Sequence, residues 1–246
     1  MKTVNIFDCE VASLTIDETV VEVNKIIKKR KPVQHVVINA GKVVLMDENI
    51  DLKKIVSECP IINADGQSIV WASLFLKKPL PERVAGIDLM EELIKLSNEK
   101  CYSIYFLGAK EEVVKKVVKH YESLYPDVKI AGFRNGYFNQ NEEIEIVNNI
   151  RSANADILFV AFSSPQKEYF LSKYSKELGV PFQMGVGGSF DVVAGVTSRA
   201  PKYMQKIGLE WFYRFIQEPK RMWKRYLVGN SKFLYIVLKE KFKKAN

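Results

Sequence analysis

The sequence predicts an α/β protein with a doubly wound, mostly parallel sheet and a basic helical appendage at its C-terminal end, and three observations carry that prediction. Short apolar runs alternate with amphipathic stretches of helical period through residues 1–195, the pattern left by parallel strands and their crossover helices. Several runs end in a polar residue or a glycine, at the edge where such a sheet presents its ligand crevice. The charge is divided: from Arg199 on, 13 Lys or Arg face 3 Asp or Glu, a net +10, so the preceding 198 residues carry −2 of the total +8. The positive charge belongs to the tail.

With 246 residues, 47% hydrophobic and 27% charged, the chain has the composition of a folded globular protein rather than a disordered one. It is long enough for a full α/β core with an addition. Cys9, Cys59 and Cys101 lack paired spacing, so buried reduced thiols are expected rather than disulfides or a zinc site. His35 and His120 are too few for a histidine metal cluster. The stretch Met1 to Phe7 lacks the apolar core of a signal peptide, and no apolar run approaches a membrane span. A cytoplasmic protein is expected, with contact to a membrane surface left open.

In order, a first strand lies within Met1 to Phe7. Glu18 to Lys29 sets Val20, Val21, Val23, Ile26 and Ile27 at helical spacing and closes on Lys28-Lys29-Arg30-Lys31 before Pro32. His35 to Asn39 reads as a buried strand ending in a polar residue. Asp51 to Glu58 is helical, Pro60 to Asp65 is the next strand, and Gln67 to Leu76 is an apolar helix. Pro79, Pro81, Glu82 and Arg83 mark a loop before the helix Gly86 to Asn98, which carries Asp88 near its start.

Tyr102 to Leu107 followed by Gly108-Ala109 is a strand and turn, then Lys110 to Tyr125 is a long amphipathic helix. That is half of a nucleotide-binding βαβ unit, though one glycine turn is a weak signal. Lys129 to Phe133, the helix Glu142 to Ala153, Asp156 to Ser163, the helix Gln166 to Leu178 and Pro181 to Val186 continue the alternation. Two loops stand out, one with Asn135, Gly136 and Tyr137, the other running Gly185-Val186-Gly187-Gly188-Ser189. The second would let a diphosphate approach the main chain, or is simply a tight turn packed on the sheet.

Beyond residue 195 the character changes. Trp211, Phe212 and Phe215 share a helix with Arg214, and Arg221 and Arg225 fall on the same face if the helical direction survives Pro219. The run Phe233 to Leu238, followed by Lys239, Lys241, Lys243 and Lys244, mixes apolar and cationic groups as a membrane-surface element does. Plain docking of amphipathic helices is the competing account. Nucleic acid is the least suited partner, because no recognised motif is present and six consecutive apolar residues do not track phosphates.

Asp65, at the end of one strand and before Gly66, is the leading candidate for a catalytic base, with helix capping as the competing role. Arg83 is an anion ligand or a solvated charge. Asn39 occupies the position of Asp65 one strand earlier.

Asn63-Ala64-Asp65-Gly66, Pro79-Leu80-Pro81-Glu82-Arg83-Val84-Ala85-Gly86-Ile87-Asp88, Arg134-Asn135-Gly136-Tyr137-Phe138, Gly185 to Asp191, Arg199-Ala200-Pro201 and Gly208-Leu209-Glu210-Trp211 together resemble the WecG/TagA/CpsF glycosyltransferases. The resemblance spans most of the chain in the family's order. It implies a Rossmann-like catalytic core over residues 1–195 and an appendage over 196–246 that reaches a lipid substrate. The implied activity is inverting transfer, often of N-acetylmannosamine or its uronic acid, from a UDP-sugar to a polyprenyl-diphosphate-linked sugar at the cytoplasmic membrane face. In the teichoic-acid branch the acceptor sugar is N-acetylglucosamine.

By position, the resemblance makes Asp65 the general base, Arg83 the group that steadies the diphosphate and Asn39 a pocket residue. It makes Arg214 and Arg221, with Lys224 or Arg225, the acceptor-diphosphate ligands. Gly108, Asn135, Tyr137, Gln166, Gly187 and Gly188 complete the substrate-binding candidates. Two departures stand out: Val37 where many members have Thr, and Pro165-Gln166-Lys167-Glu168 where many have P-x-Q-E, as in a subfamily with another donor sugar.

The chemistry is consistent with the residues. Inverting transfer needs a base for the acceptor hydroxyl and charge to stabilise the departing diphosphate. The chain has no Asp-x-Asp pattern, so Arg83 and the tail arginines would supply that charge, and activity without metal or cofactor is expected. The expected partners are the UDP-sugar, the lipid-linked acceptor and an anionic membrane surface, with a homo-oligomer possible through exposed apolar faces. A glucosyl or uronosyl transferase of exopolysaccharide assembly and a non-catalytic nucleotide-binding module are the rival readings.

Overall fold

The computed structural model describes residues 1–206, 208–217, 219, 223 and 228–243. Its centre is a six-stranded parallel sheet in the order β4-β3-β8-β7-β5-β6, formed by β3 (Val33–Ile38), β4 (Ile61–Ala64), β5 (Ser103–Gly108), β6 (Lys129–Arg134), β7 (Ile157–Ala161) and β8 (Phe182–Gly185). The chain first winds outward from β3 to β4, crosses to β5 and β6, and returns through β7 and β8. Helices cover both faces, as the alternation requires, and the architecture is Rossmann-like.

Each element answers to local chemistry. Helix α1 (Ile16–Lys29) begins on a capping box, in which Thr15 and Glu18 satisfy each other's backbone N–H groups, and stops at Arg30 in the left-handed conformation. Its first N–H also donates to Glu82 Oε1, which fixes the loop that carries Arg83. Strand β3 is buried along almost its whole length, and its one imidazole, His35, is hydrogen-bonded at Nε2 to Asn63 Oδ1 at 2.9 Å. Asn63 Nδ2 in turn donates to Thr19 Oγ1 on α1. Burial drives the His35 pKa down to about 4, although the Asn63 bond pulls the other way.

Three apolar clusters hold the layers together. One packs α1, α5 (Gly86–Lys100) and α6 (Glu111–Leu124) on one face of the sheet, through Leu89, Leu93, Val114 and Phe106. On the other face, α7 (Glu143–Ser152) and α8 (Gln166–Leu178) pack through Ile146, Ile150 and Leu171. The third gathers the β4 edge, α2 (Ala40–Glu48), α3 (Ile50–Ser57), α4 (Gln67–Phe75) and the C-terminal helix Gly229–Phe242.

Several features differ from the sequence expectation. The first strand belongs to a separate antiparallel hairpin, β1 (Thr3–Ile6) with β2 (Cys9–Ala12), whose turn residues Phe7 and Asp8 both have positive φ. Helix α2 was not foreseen. Cys101 is exposed rather than buried, because it caps α5 in the left-handed conformation at the surface. The apolar run Phe233 to Leu238 is divided: Phe233, Ile236 and Val237 are buried in the third cluster, while Leu234, Tyr235 and Leu238 are exposed.

Candidate active site

Parallel pairing sets the first two site residues side by side. Ile38 pairs with Ala64 in register, so the next residues, Asn39 and Asp65, leave neighbouring strands at the same edge. The Asp65 N–H extends the ladder by donating to the Ile38 carbonyl at 2.8 Å. Gly66, at φ 118°, then turns the chain into α4 and occupies the helix cap position without a side-chain cap bond. An L side chain is strained at that φ. Asp65 therefore stands one residue outside the helix. The capping role belongs instead to Asn39, whose Oδ1 accepts from the Lys42 N–H at 3.0 Å at the start of α2.

Both residues line a cleft of about 680 Å³ at the carboxyl edge of the sheet. One side is formed by the ends of β7 and β8, with Ser163, Ser164, Lys167 and the glycine run Gly185 to Gly188. The start of α5 closes another side at Ala85 to Ile87, and Glu210, Gln217, Val228, Gly229 and Lys232 bring the basic C-terminal segment to its rim. Among the described residues no three His, Cys, Asp or Glu side chains are grouped as a metal site needs.

Arg83 lies just behind this wall. Its guanidinium donates to Glu210 at 2.9 Å and sits 3.6 Å from Asp88. Arg199 grips both oxygens of Asp88 and approaches Glu210 to 3.9 Å. Two arginines and two carboxylates thus close a network that ties the loop before α5 to the helix Glu210–Gln217.

The floor of the cleft holds a cluster that sequence reasoning missed. Lys42 and Lys167 both approach Glu168 Oε1, the second at 3.2 Å, and Lys167 Nζ also donates to Ser164 Oγ. Glu168 and Lys42 are almost wholly buried. Burial would raise the Glu168 carboxyl, but the two ammonium groups outweigh it and hold it below the usual range. Burial, reinforced by repulsion from Lys42, pulls Lys167 down to about 8, against the attraction of Glu168 and Asp65. The available signal was positional: Lys42 and Lys167 are cations in the first turns of α2 and α8, where the helix dipole disfavours them.

Other predicted residues fall elsewhere. Gly108 ends β5 at φ 126°, and a Cβ there would lie 2.7 Å from the Ala161 carbonyl oxygen, so the glycine permits close strand packing. Asn135 bonds Glu111, its Oδ1 accepts from the Tyr137 N–H, and the Tyr137 ring is exposed. Gln166 accepts from Ser163 Oγ at 3.0 Å. Gly108, Asn135, Tyr137 and Gln166 are not among the residues that line the cleft, whereas Gly187 and Gly188 are. Arg221, Lys224 and Arg225 lie outside the described residues, as does the side chain of Arg214.

Comparison with known proteins identifies the family. Residues 4–246 match the model of the glycosyl transferase WecG/TagA/CpsF family. The chain is 39% identical over 190 residues to the N-acetylglucosaminyldiphosphoundecaprenol N-acetyl-beta-D-mannosaminyltransferase of Bacillus subtilis (strain 168), covering 77% of this chain and 73% of that protein. It is 33% identical to the protein of the same name from Staphylococcus aureus (strain MW2), over 77% and 73% of the two chains. The protein of that name from Bacillus spizizenii is 32% identical, over 78% and 73%. A Rossmann-like sheet, an acid at its carboxyl edge and a match along nearly the whole chain lead to one conclusion: the chain belongs to the WecG/TagA/CpsF family and is a glycosyltransferase.

Proposed function

We propose that this glycosyltransferase moves N-acetylmannosamine, or a related sugar, from a UDP-sugar to N-acetylglucosamine carried on a polyprenyl diphosphate, at the cytoplasmic membrane face, in teichoic acid or other surface polysaccharide synthesis. The observation that carries the reading is that Asn39 and Asp65 follow the last in-register pair, Ile38 and Ala64, and line one cleft whose rim is the basic segment. The names of the relatives supply the acceptor and the sugar.

In this reading the acceptor hydroxyl gives its proton to Asp65 as its oxygen attacks the anomeric carbon from the face opposite UDP. The bond to the diphosphate breaks with its electron pair left on the leaving group, so the configuration inverts. Asn39 holds the edge of the pocket. Arg83 steadies the leaving group from a guanidinium that Glu210 and Asp88 hold in place.

No helix among the described residues is long and apolar enough to cross a membrane. Peripheral attachment is supported by the outward side of the C-terminal helix, where Leu234, Tyr235, Leu238 and Phe242 are exposed beside Lys239 and Lys241. Trp71, Leu74 and Phe75 on α4 add an exposed apolar face suited to the same surface or to a second copy.

The test is transfer itself. The purified chain, a short-chain lipid diphosphate bearing N-acetylglucosamine and a panel of UDP-sugars should give a lipid-linked disaccharide with one preferred donor, and EDTA should leave the rate intact. No product with any donor would end the reading.

A further inference from the structure

Lys167 stands out because its ammonium is buried at the cleft floor close to a second buried ammonium, that of Lys42. Its stem crosses the main chain at the end of β8, where a Cβ on Gly185 would lie 2.6 Å from Lys167 Cδ, so the glycine and the lysine fit one another. This path carries the ammonium from the start of α8 across β8 toward β3, its parallel neighbour in the sheet. There Glu168 faces two ammonium groups, those of Lys42 and Lys167. Ser164 and Glu168 take two of the three Lys167 N–H bonds.

The other described cations near the cleft are differently placed. Arg83 is shared between Glu210 and Asp88, and Lys232 is paired with Glu48 at the surface.

We propose that Lys167 is a donor-binding residue, whose remaining N–H and charge take an anionic oxygen group of the nucleotide-sugar. Two sources of that chemistry are available in a UDP-sugar, the diphosphate and a carboxylate on the sugar ring. The assignment rests on the transferase reading above. The depressed Lys167 pKa accords with it, since the groups around the ammonium (Lys42 on α2, Glu168 on α8, Asp65 after β4) leave it less stable than in water. A bound anion would reverse that.

Titration calorimetry of the full chain with UDP, a UDP-N-acetylhexosamine and a UDP-N-acetylhexosaminuronate tests the assignment without requiring turnover. Lys167→Gln should weaken binding by roughly tenfold to a hundredfold, the value of a charge-assisted hydrogen bond. Equal loss for all three ligands assigns the diphosphate, and loss confined to the uronate assigns the carboxylate. Wild-type affinity should also decline as pH rises through about 8, and Lys167→Arg, which keeps its charge, should bind without that decline. Unchanged affinity of Lys167→Gln for all three, with wild-type binding intact, overturns the assignment alone. Failure of the wild type to bind any of them overturns the transferase reading with it.

Discussion

Arg83, in the loop before α5, donates from Nη1 to Glu210 Oε2 at 2.9 Å, across 127 positions of the chain. The pair is largely shielded from water, and its partners Asp88 and Arg199 complete a neutral network. Glu210→Gln keeps the shape and removes the charge that two arginines share. The expected loss is about 1–3 kcal/mol, which should lower the thermal midpoint by several degrees and loosen residues 210–217 to protease. An unchanged midpoint and digestion pattern would show that the network does not hold the helix Glu210–Gln217.

Asp65→Asn preserves size and leaves the backbone bond to Ile38 in place. As the loss of a general base, it should lower kcat by roughly 10²- to 10⁴-fold while UDP affinity stays near wild type. Wild-type turnover in this variant would remove Asp65 from the chemistry.

His35 makes stability depend on mildly acid pH. Its folded pKa, pushed down to about 4 by burial, lies below the ordinary value of 6.5. The neutral ring is therefore favoured by folding, and its contribution is complete above pH 6.5. It is lost as pH falls from 6.5 toward 4, by at most roughly 3 kcal/mol. Urea unfolding at several pH values should show this slope, and His35→Gln should flatten it. Glu168, held below the usual range, adds its own loss only at lower pH.

The C-terminal helix offers a surface test that spares the core. Removing the chain from Phe233 onward would also uncover the third cluster, because Phe233, Ile236 and Val237 are buried there. Leu234→Ser with Leu238→Ser changes only exposed positions. The double variant should keep its thermal midpoint and bind anionic liposomes at least about tenfold more weakly, given the apolar transfer energy of two leucines. Equal liposome binding would place membrane contact elsewhere.

Much of the fold could be read from the chain because central parallel strands are apolar throughout and end abruptly. Val36-Val37-Ile38-Asn39 and Ile61-Ile62-Asn63-Ala64-Asp65 both announce where the sheet edge lies, and the shared exit of Asn39 and Asp65 at that edge follows from it. Helix α2 escaped notice because Val43 to Met46 is an unbroken apolar run that shows no helical period. The β1–β2 turn escaped because Phe7-Asp8 lacks the glycine or asparagine that normally signals positive φ. The Lys42, Lys167 and Glu168 cluster is assembled from residues 126 positions apart, and no local pattern records such an encounter.

Phe7 of the hairpin and Phe233 of the C-terminal helix meet with ring centres 5.9 Å apart, and Asp8 is paired with both Lys53 and Lys243. The hairpin is thus completed by an element that lies far later in the chain. Until residues 229–242 have been synthesised, the hairpin and the β4 edge keep an uncovered apolar side, so the nascent chain passes through a stage that chaperones would recognise.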